Sequence, residues 1–286
     1  MENLVEDISK SVVIELLFEE KPIRPTANAI FREARNVFGE INIINRDEND
    51  TEFSMDKFVA YNKDNTTSAV GLAMGNVLSF DDKKSVSEFE RTQIWNVANS
   101  DELLSKYKYC VKIWDVNAQR QIPKERAVML VDWLNIALKL FPKCQAIWIK
   151  SAGKFQLAQS IKNLKENGIV KYLFSMVNIR FFNVPHTNEF IVDSVGLANI
   201  GLSDVQFHFK GMNPNKVANL AYSLARYVLN NDDVLIKDGD TIDGMNDEGK
   251  MTPDVQWICR YEDSLIEPLR PVLDINTGKY AAGDRN

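Results

Sequence analysis

The chain has 286 residues, of which 45% are hydrophobic and 26% are charged, a composition that excludes disordered and fibrous proteins. Its net charge of −6 argues against a nucleic-acid partner, which would require a basic face to displace phosphate counterions. Residues 1–20 are acidic where a signal peptide is basic, and no uncharged apolar run reaches the roughly 18 residues of a membrane span. We therefore expect a cytoplasmic protein with no membrane partner.

The first half of the chain alternates between apolar runs of strand length and helical stripes that follow a proline. A helix is expected to begin at Pro25 and end at Gly39, and a longer one to begin at Pro123. The predicted strands and remaining helix are strand 11–19, strand 41–44, a hairpin of 57–62 with 68–80, helix 85–95, strand 107–115 and strand 145–150.

The second half repeats the order of strand, proline-led helix and strand. Residues 204–210 alternate polar and apolar side chains, Asn213 supplies an N-cap oxygen, and Pro214 occupies the first helical position. The other predicted elements are helix 153–167, strands 177–182, 186–192 and 234–236, a tight turn over 237–241, and strands 255–261 and 269–275.

This order predicts an α+β protein with mainly antiparallel sheets and helices packed on one face. Residues 11–116 fit a ferredoxin-like βαββαβ sandwich. We therefore divide the chain into a ferredoxin-like half, 1–150, and a second α+β half, 151–286. The three cysteines, Cys110, Cys144 and Cys259, lie far apart in strand-like runs and indicate buried, reduced thiols.

The most polar strand face belongs to residues 204–210, where Asp204, Gln206 and His208 share one side. An Asp204/His208 pair joined by Asp193 or Asp238 could hold a ligand or metal ion. A polar row facing solvent explains the same residues without a site. The following turn adds Asp238, Asp240 and Thr241 as candidate binding residues.

Several segments carry a family resemblance: Trp95, the strand ending at Asp115, Gly196-Leu197, residues 201–206, Asn213-Pro214-Asn215, Tyr227, residues 237–242 and residues 268–275. Together they resemble a bacterial family known as domain of unknown function 4261. The resemblance covers most of the chain and concerns family membership; it implies a cytoplasmic protein of bacterial accessory loci and says almost nothing about activity. The sequence departs from the family pattern at Ser203, where proline is usual, and at Asp240, where histidine or asparagine is usual.

No motif of a catalytic site is present. Ser194 and Ser203 lack a Gly-x-Ser-x-Gly elbow, and no glycine-rich phosphate loop precedes a helix. We therefore predict no catalytic residue, no metal and no cofactor. Trp95 and Trp257 lie near the ends of elements, where an aromatic side chain can anchor a partner or simply pack. Arg270 is expected to hold the C-terminal region against acidic turns.

The leading hypothesis is a non-enzymatic module that binds another protein, as an immunity-type or accessory factor would. The acidic composition and the lack of a catalytic constellation favour it. The alternative is a hydrolase, or a binder of a small ligand or metal, that uses Asp204, His208 and the turn from Asp238 to Thr241.

Overall fold

The computed structural model describes residues 11–47, 49–64, 66–231, 236–246 and 248–283. The described residues divide into two compact units, 11–176 and 177–283. The sequence-based boundary at residue 150 falls inside the N-terminal unit, because the strand that ends at Ile149 pairs with the next one, which begins at Lys154.

The N-terminal unit is built on a seven-stranded sheet in which every neighbouring pair is antiparallel. The strand order is β2-β3-β4-β5-β1-β6-β7. The strands are β1 (Val13–Phe18), β2 (Asn42–Arg46), β3 (Thr51–Tyr61), β4 (Thr67–Ser79), β5 (Tyr109–Val116), β6 (Ala146–Ile149) and β7 (Lys154–Leu157).

Four helices form one layer on this sheet: α1 (Ala27–Phe38), α5 (Pro123–Leu140), α6 (Ala158–Asn163) and α7 (Ile169–Met176). The Thr26 hydroxyl accepts a hydrogen bond at the start of α1, and Gly39 ends it at a φ of 83° that favours glycine. A buried ion pair fixes α5 on β5, since Arg126 Nε lies 2.7 Å from Asp115 Oδ2.

Three short helices cover the opposite face of the same sheet: α2 (Asp82–Ser85), α3 (Glu88–Thr92) and α4 (Ser100–Lys106). Apolar side chains of this segment pack in one cluster with Leu17, Cys110 and Trp148 of the sheet. Leu17 and Leu16 are successive residues of β1, so their side chains point to opposite faces. The prediction that helices pack on one face is therefore wrong for this unit, because residues 80–107 break into short helices that cover the second face.

The C-terminal unit holds a six-stranded sheet in the order β11-β12-β13-β10-β9-β8. Only β10 and β13 pair in parallel, and the other neighbours are antiparallel. The strands are β8 (Asn178–Asn183), β9 (Glu189–Val195), β10 (Asp204–Lys210), β11 (Thr241–Met245), β12 (Met251–Asp263) and β13 (Pro271–Asn276).

One long helix, α8 (Pro214–Asn230), lies on this sheet against β8, β9 and β10. Its N-terminus is as the sequence predicts, with Pro214 in the first turn and the Asn213 side chain accepting from the backbone N–H of Asn215. Val217, Ala221 and Leu224 of its apolar stripe are buried. Both units are thus α+β, with mostly antiparallel sheets, as predicted.

Other regions also differ from the sequence-based elements. The helix predicted over 153–167 is instead the strand β7 followed by α6, and α7 was not anticipated. Strand β11 was also missed, while most of the strand predicted over 234–236 lies outside the described residues. Among the described residues, no helix is both long enough and apolar enough to cross a membrane.

Candidate functional site

The polar face of β10 is buried and belongs to a row of polar side chains across the C-terminal sheet. Pairing between neighbouring strands brings Arg180 of β8 opposite Asp193 of β9, Asp193 opposite Gln206 of β10, and Gln206 opposite Asp274 of β13. All four side chains are buried. Paired residues share one face of a sheet, so the row runs across four strands on the side that carries Asp204.

Asp204 is fully buried at the start of β10, and its carboxylate is occupied by internal donors. Oδ1 accepts from Ser194 Oγ at 2.7 Å, and the two carboxylate oxygens accept from the backbone N–H groups of residues 196–198 at 3.0 to 3.3 Å. The carboxylate therefore organises the turn that joins β9 to β10.

Two arginines complete this network, and both bind the carboxylate of Asp193. Arg180 binds it with two nitrogens, Nε at 2.9 Å and Nη2 at 2.5 Å. Arg270 contributes Nη2 at 2.7 Å, and its Nε lies 3.1 Å from Asp204 Oδ2. Burial alone would lower the pKa of Arg270, but the carboxylates of Asp204 and Asp193 raise it above its usual value.

The same arginines attach the loop of residues 264–270 over the row. Arg270 Nη1 donates to the carbonyls of Ile266 and Pro268, and Arg180 Nη1 donates to the carbonyl of Glu267. The backbone N–H of Leu265 donates to the side-chain oxygen of Gln206. The prediction of a row that faces solvent is thus wrong for Asp204 and Gln206, because this loop covers them.

His208 lies further along β10 and does not meet Asp204. Four residues of strand separate them, which corresponds to about 13 Å. His208 Nε2 lies 3.0 Å from Glu189 Oε2, in side chains that are 13% and 21% exposed. The two candidate third members are also engaged elsewhere, Asp193 with the arginines and Asp238 with a backbone N–H. The sequence-predicted Asp204/His208 pair is therefore not assembled.

The predicted turn over residues 237–241 is present, and its aspartates bind their own backbone. Asp240 Oδ2 accepts from the N–H of Lys237 at 2.7 Å, and Asp238 Oδ1 accepts from the N–H of Tyr261 at 2.9 Å. Thr241 is exposed at the first position of β11. These contacts secure the turn against β12.

The two candidate tryptophans have opposite environments. Trp257 is 1% exposed and packs so closely against Gly244 that a Cβ on that glycine would lie 2.6 Å from the indole Nε1. It is a core residue of its unit and offers no surface for a partner. Trp95 is 50% exposed, between α3 and α4.

Metal and thiol chemistry find little support in the side chains that the structure describes. Among these residues, no three His, Cys, Asp or Glu side chains are grouped as metal ligands. All three cysteines are buried and free, as predicted. Burial raises the pKa of Cys110 and Cys259 to about 11 and that of Cys144 to about 12, so the thiolates that act as nucleophiles are disfavoured.

Sequence reasoning missed Arg180, and it named Asp193 only as a possible third member of the Asp204/His208 pair, not as the centre of the polar row. In the sequence, the only sign of these two residues is a charged side chain inside a mostly apolar strand, once in β8 and once in β9. Arg270 was expected to bind acidic turns; it does hold a loop in place, but through carboxylates on β9 and β10.

Fold and site together define an α+β protein with two mainly antiparallel sheets, one of which carries a buried arginine–aspartate network. Residues 193–276 match the family described as Domain of unknown function (DUF4261), which is the family that the sequence resembles. The match supports membership of this domain family, and it covers less than a third of the 286 residues, whereas the resemblance extends over most of the chain. The match runs from Asp193 to the end of β13 and includes Asp204, Gln206 and Arg270. No curated protein and no solved structure matches the chain.

Proposed function

We propose that this chain is a non-enzymatic protein-binding module, an immunity-type or accessory factor of the bacterial cytoplasm. One observation carries the proposal: Trp95 is half exposed on a segment whose neighbouring side chains hold it in place. Tryptophan is enriched among the residues that dominate protein interfaces, since it offers a large contact area with few rotatable bonds.

The segment around Trp95 is fixed to its sheet on both sides. Ile94 and Val97 are buried in the cluster on the second face of the N-terminal sheet. The side chain of Asn96 donates to the carbonyl of Phe155 and to Gln156 Oε1. Trp95 is therefore presented from an ordered backbone, which lowers the entropy that a partner must overcome on binding.

The short helices beside Trp95 are also secured by polar contacts. Ser87 and Glu90 form a reciprocal capping box at the start of α3. Arg91 binds Asp82 and Asp101, each at 2.9 Å, and so links α2, α3 and α4. Phe89, which is 45% exposed, belongs to the same segment, so this segment carries two exposed aromatic side chains.

The hydrolase or ligand-binding alternative receives no comparable support. Asp204 and Gln206 are buried and bonded to internal partners, so a ligand would have to displace the loop of residues 264–270 to reach them. His208 contacts Glu189 and lies apart from Asp204.

Quantitative affinity capture from lysate of the source cell tests the proposal. Wild-type bait is expected to retain a protein partner at stoichiometric amounts, and Trp95→Ala to reduce that partner by at least about tenfold, the effect of removing an interface anchor. Tyr61→Ala is the matched control, because Tyr61 is an aromatic side chain of equal exposure, 50%, on β3. Capture of no stoichiometric partner, or equal capture by Trp95→Ala, would overturn the proposal.

We also propose that the N-terminal sheet contains a ferredoxin-like sandwich with additional strands. The elements of this sandwich differ from those that the sequence predicts over residues 11–116. Strands β4, β5, β1 and β6 are neighbours in that order. Helix α1 lies in the connection from β1 to β4, and α5 in that from β5 to β6. Each connection joins two strands that flank a single antiparallel strand, which is the split βαβ arrangement. On this assignment β2 and β3 are additions at one edge and β7 at the other.

A further inference from the structure

A groove of about 580 Å³ lies at the C-terminal end of β1, beside the C-terminal end of α5. Its floor is formed by Phe18 and Phe141, whose ring centroids are 5.5 Å apart. Pro22, Ile23 and Pro142 form its walls. Ile23 is 93% exposed, an unusual position for a large aliphatic side chain that no other part of its unit covers. The volume is in the range of ligand-binding clefts.

One wall of the groove is a stretch of backbone without internal hydrogen bonds. The segment is held at both ends. The N–H of Glu19 donates to Gln145 Oε1, and the Arg24 guanidinium donates to Thr51 Oγ1 and to the carbonyls of Met74 and Gly75. Within the part of the chain that the structure describes, the carbonyls of residues 20–23 and the N–H groups of Glu20, Lys21 and Ile23 have no hydrogen-bond partner; Pro22 has no N–H to donate.

This arrangement favours one kind of occupant. Unpaired N–H and C=O groups beside an apolar groove are what an extended peptide needs, because it can pair its main chain along the wall while a side chain enters the groove. A small apolar molecule would leave the backbone groups unused. The charged residues of the groove are Glu19, Glu20, Lys21 and Lys143, and Glu20 is paired with Lys143 at 3.6 Å. The groove thus has no excess charge, which favours an uncharged segment.

We infer that this groove binds an extended, uncharged apolar peptide segment of another protein, with main-chain pairing along residues 20–23 and an apolar side chain over Phe18 and Phe141. This inference deepens the proposed protein-binding function and rests on it, but it uses a surface whose residues are not those around Trp95. The two can therefore fail separately, since loss of capture by Trp95→Ala does not depend on this groove.

A displayed library of random linear peptides, selected on the whole wild-type chain, tests the inference. The selected peptides are expected to contain apolar residues at alternate positions and few charges. Fluorescence anisotropy with each purified peptide then compares wild type with Ile23→Asp, which is expected to weaken binding by about tenfold or more. Ile23 is almost fully exposed, so this substitution leaves the fold intact.

Ile44→Asp is the matched control, because Ile44 is an isoleucine 57% exposed on the edge strand β2. It is expected to change the affinity less than about twofold. A second comparison uses peptides N-methylated at single amides. At least one methylation is expected to weaken binding about tenfold, because a methyl group removes a main-chain donor.

Three results would overturn the inference. The first is that no peptide is enriched on the wild-type chain. The second is that the enriched peptides bind Ile23→Asp as well as wild type, or depend on Ile44 instead. The third is that sedimentation shows self-association of the wild-type chain that Ile23→Asp abolishes, in which case a second copy of the chain occupies the groove.

Discussion

Two buried cations in this protein differ in how their charge is accommodated. Arg270 is surrounded by carboxylates and carbonyl oxygens, and its neighbours Asp204 and Asp193 favour its charged form. Lys154, at the first position of β7, is equally secluded, but burial alone dominates and lowers its pKa to about 8. Within the described ranges, no hydrogen bond or ion pair to the side-chain ammonium of Lys154 is present. Arg270 therefore holds elements together, whereas Lys154 opposes folding while it is charged.

We expect Lys154→Met to stabilise the protein at pH 7 and to lose much of that advantage by pH 10. A lysine has a pKa near 10.4 in the unfolded chain, above the folded value of about 8. Between these values the unfolded state binds more protons, so the stability of the wild type rises with pH. From pH 7 to pH 10, the free energy of unfolding of the wild type should rise by about 2 kcal/mol relative to that of the variant.

Urea unfolding of both proteins at the two pH values measures this difference. Lys150→Met provides the control, since Lys150 is exposed in the turn just before β7. The free-energy gap between the control and the wild type is expected to stay constant within about 0.5 kcal/mol. If the difference in unfolding free energy between wild type and Lys154→Met does not depend on pH, burial does not disfavour the charged form of Lys154, and the prediction is wrong.

At the scale of elements, the proline-led helices were predictable from sequence and short irregular elements were not. Helices α1, α5 and α8 each carry a long apolar stripe that starts at or just after a proline. Strand β7 is four residues long, too short to show a period. Strand β11 contains Gly244, and the burial of β11 depends on its partner strand β12. The local sequence does not encode this pairing.

The candidate site was misread for a related reason. Alternation along β10 correctly placed Asp204 and Gln206 on one face, but it cannot tell whether another segment covers that face. The covering loop, residues 264–270, lies about sixty residues further along the chain. A charged strand residue is therefore compatible with solvent exposure or with a buried ion pair, and only the tertiary structure distinguishes them.

We expect Gly244→Ala to destabilise the protein by about 1 to 3 kcal/mol, the usual cost of inserting atoms into a packed site. The added Cβ would meet the indole of Trp257 at 2.6 to 2.8 Å, and this rigid ring is fully buried. Urea unfolding measures the loss. Asp243→Ala, at the exposed preceding position of β11, should change stability by less than about 0.5 kcal/mol. Equal stability of wild type and Gly244→Ala would show that the contact between β11 and β12 is loose.

At the scale of the molecule, each unit places its ionisable groups differently. The N-terminal sheet is mostly apolar on its covered faces, with isolated exceptions such as the pair of Asp115 and Arg126 and the single buried Lys154. The C-terminal sheet has an apolar face under α8 and a polar face under the loop of residues 264–270. Most of this polar face lies in residues 193–276, the segment that matches the family model. We therefore assign these charged residues to the stability of the fold and look for function on exposed surfaces.

The most direct test of this assignment is a double-mutant cycle between Asp204 and Arg270, measured by urea unfolding of Asp204→Asn, Arg270→Met and the double variant. Each single substitution removes one charged partner from a buried network and should cost about 3 to 5 kcal/mol. The double variant should cost less than the sum by about 1 to 3 kcal/mol, because the two groups are in contact. Single costs below about 0.5 kcal/mol that simply add would contradict the account, since that is the behaviour of exposed, independent residues.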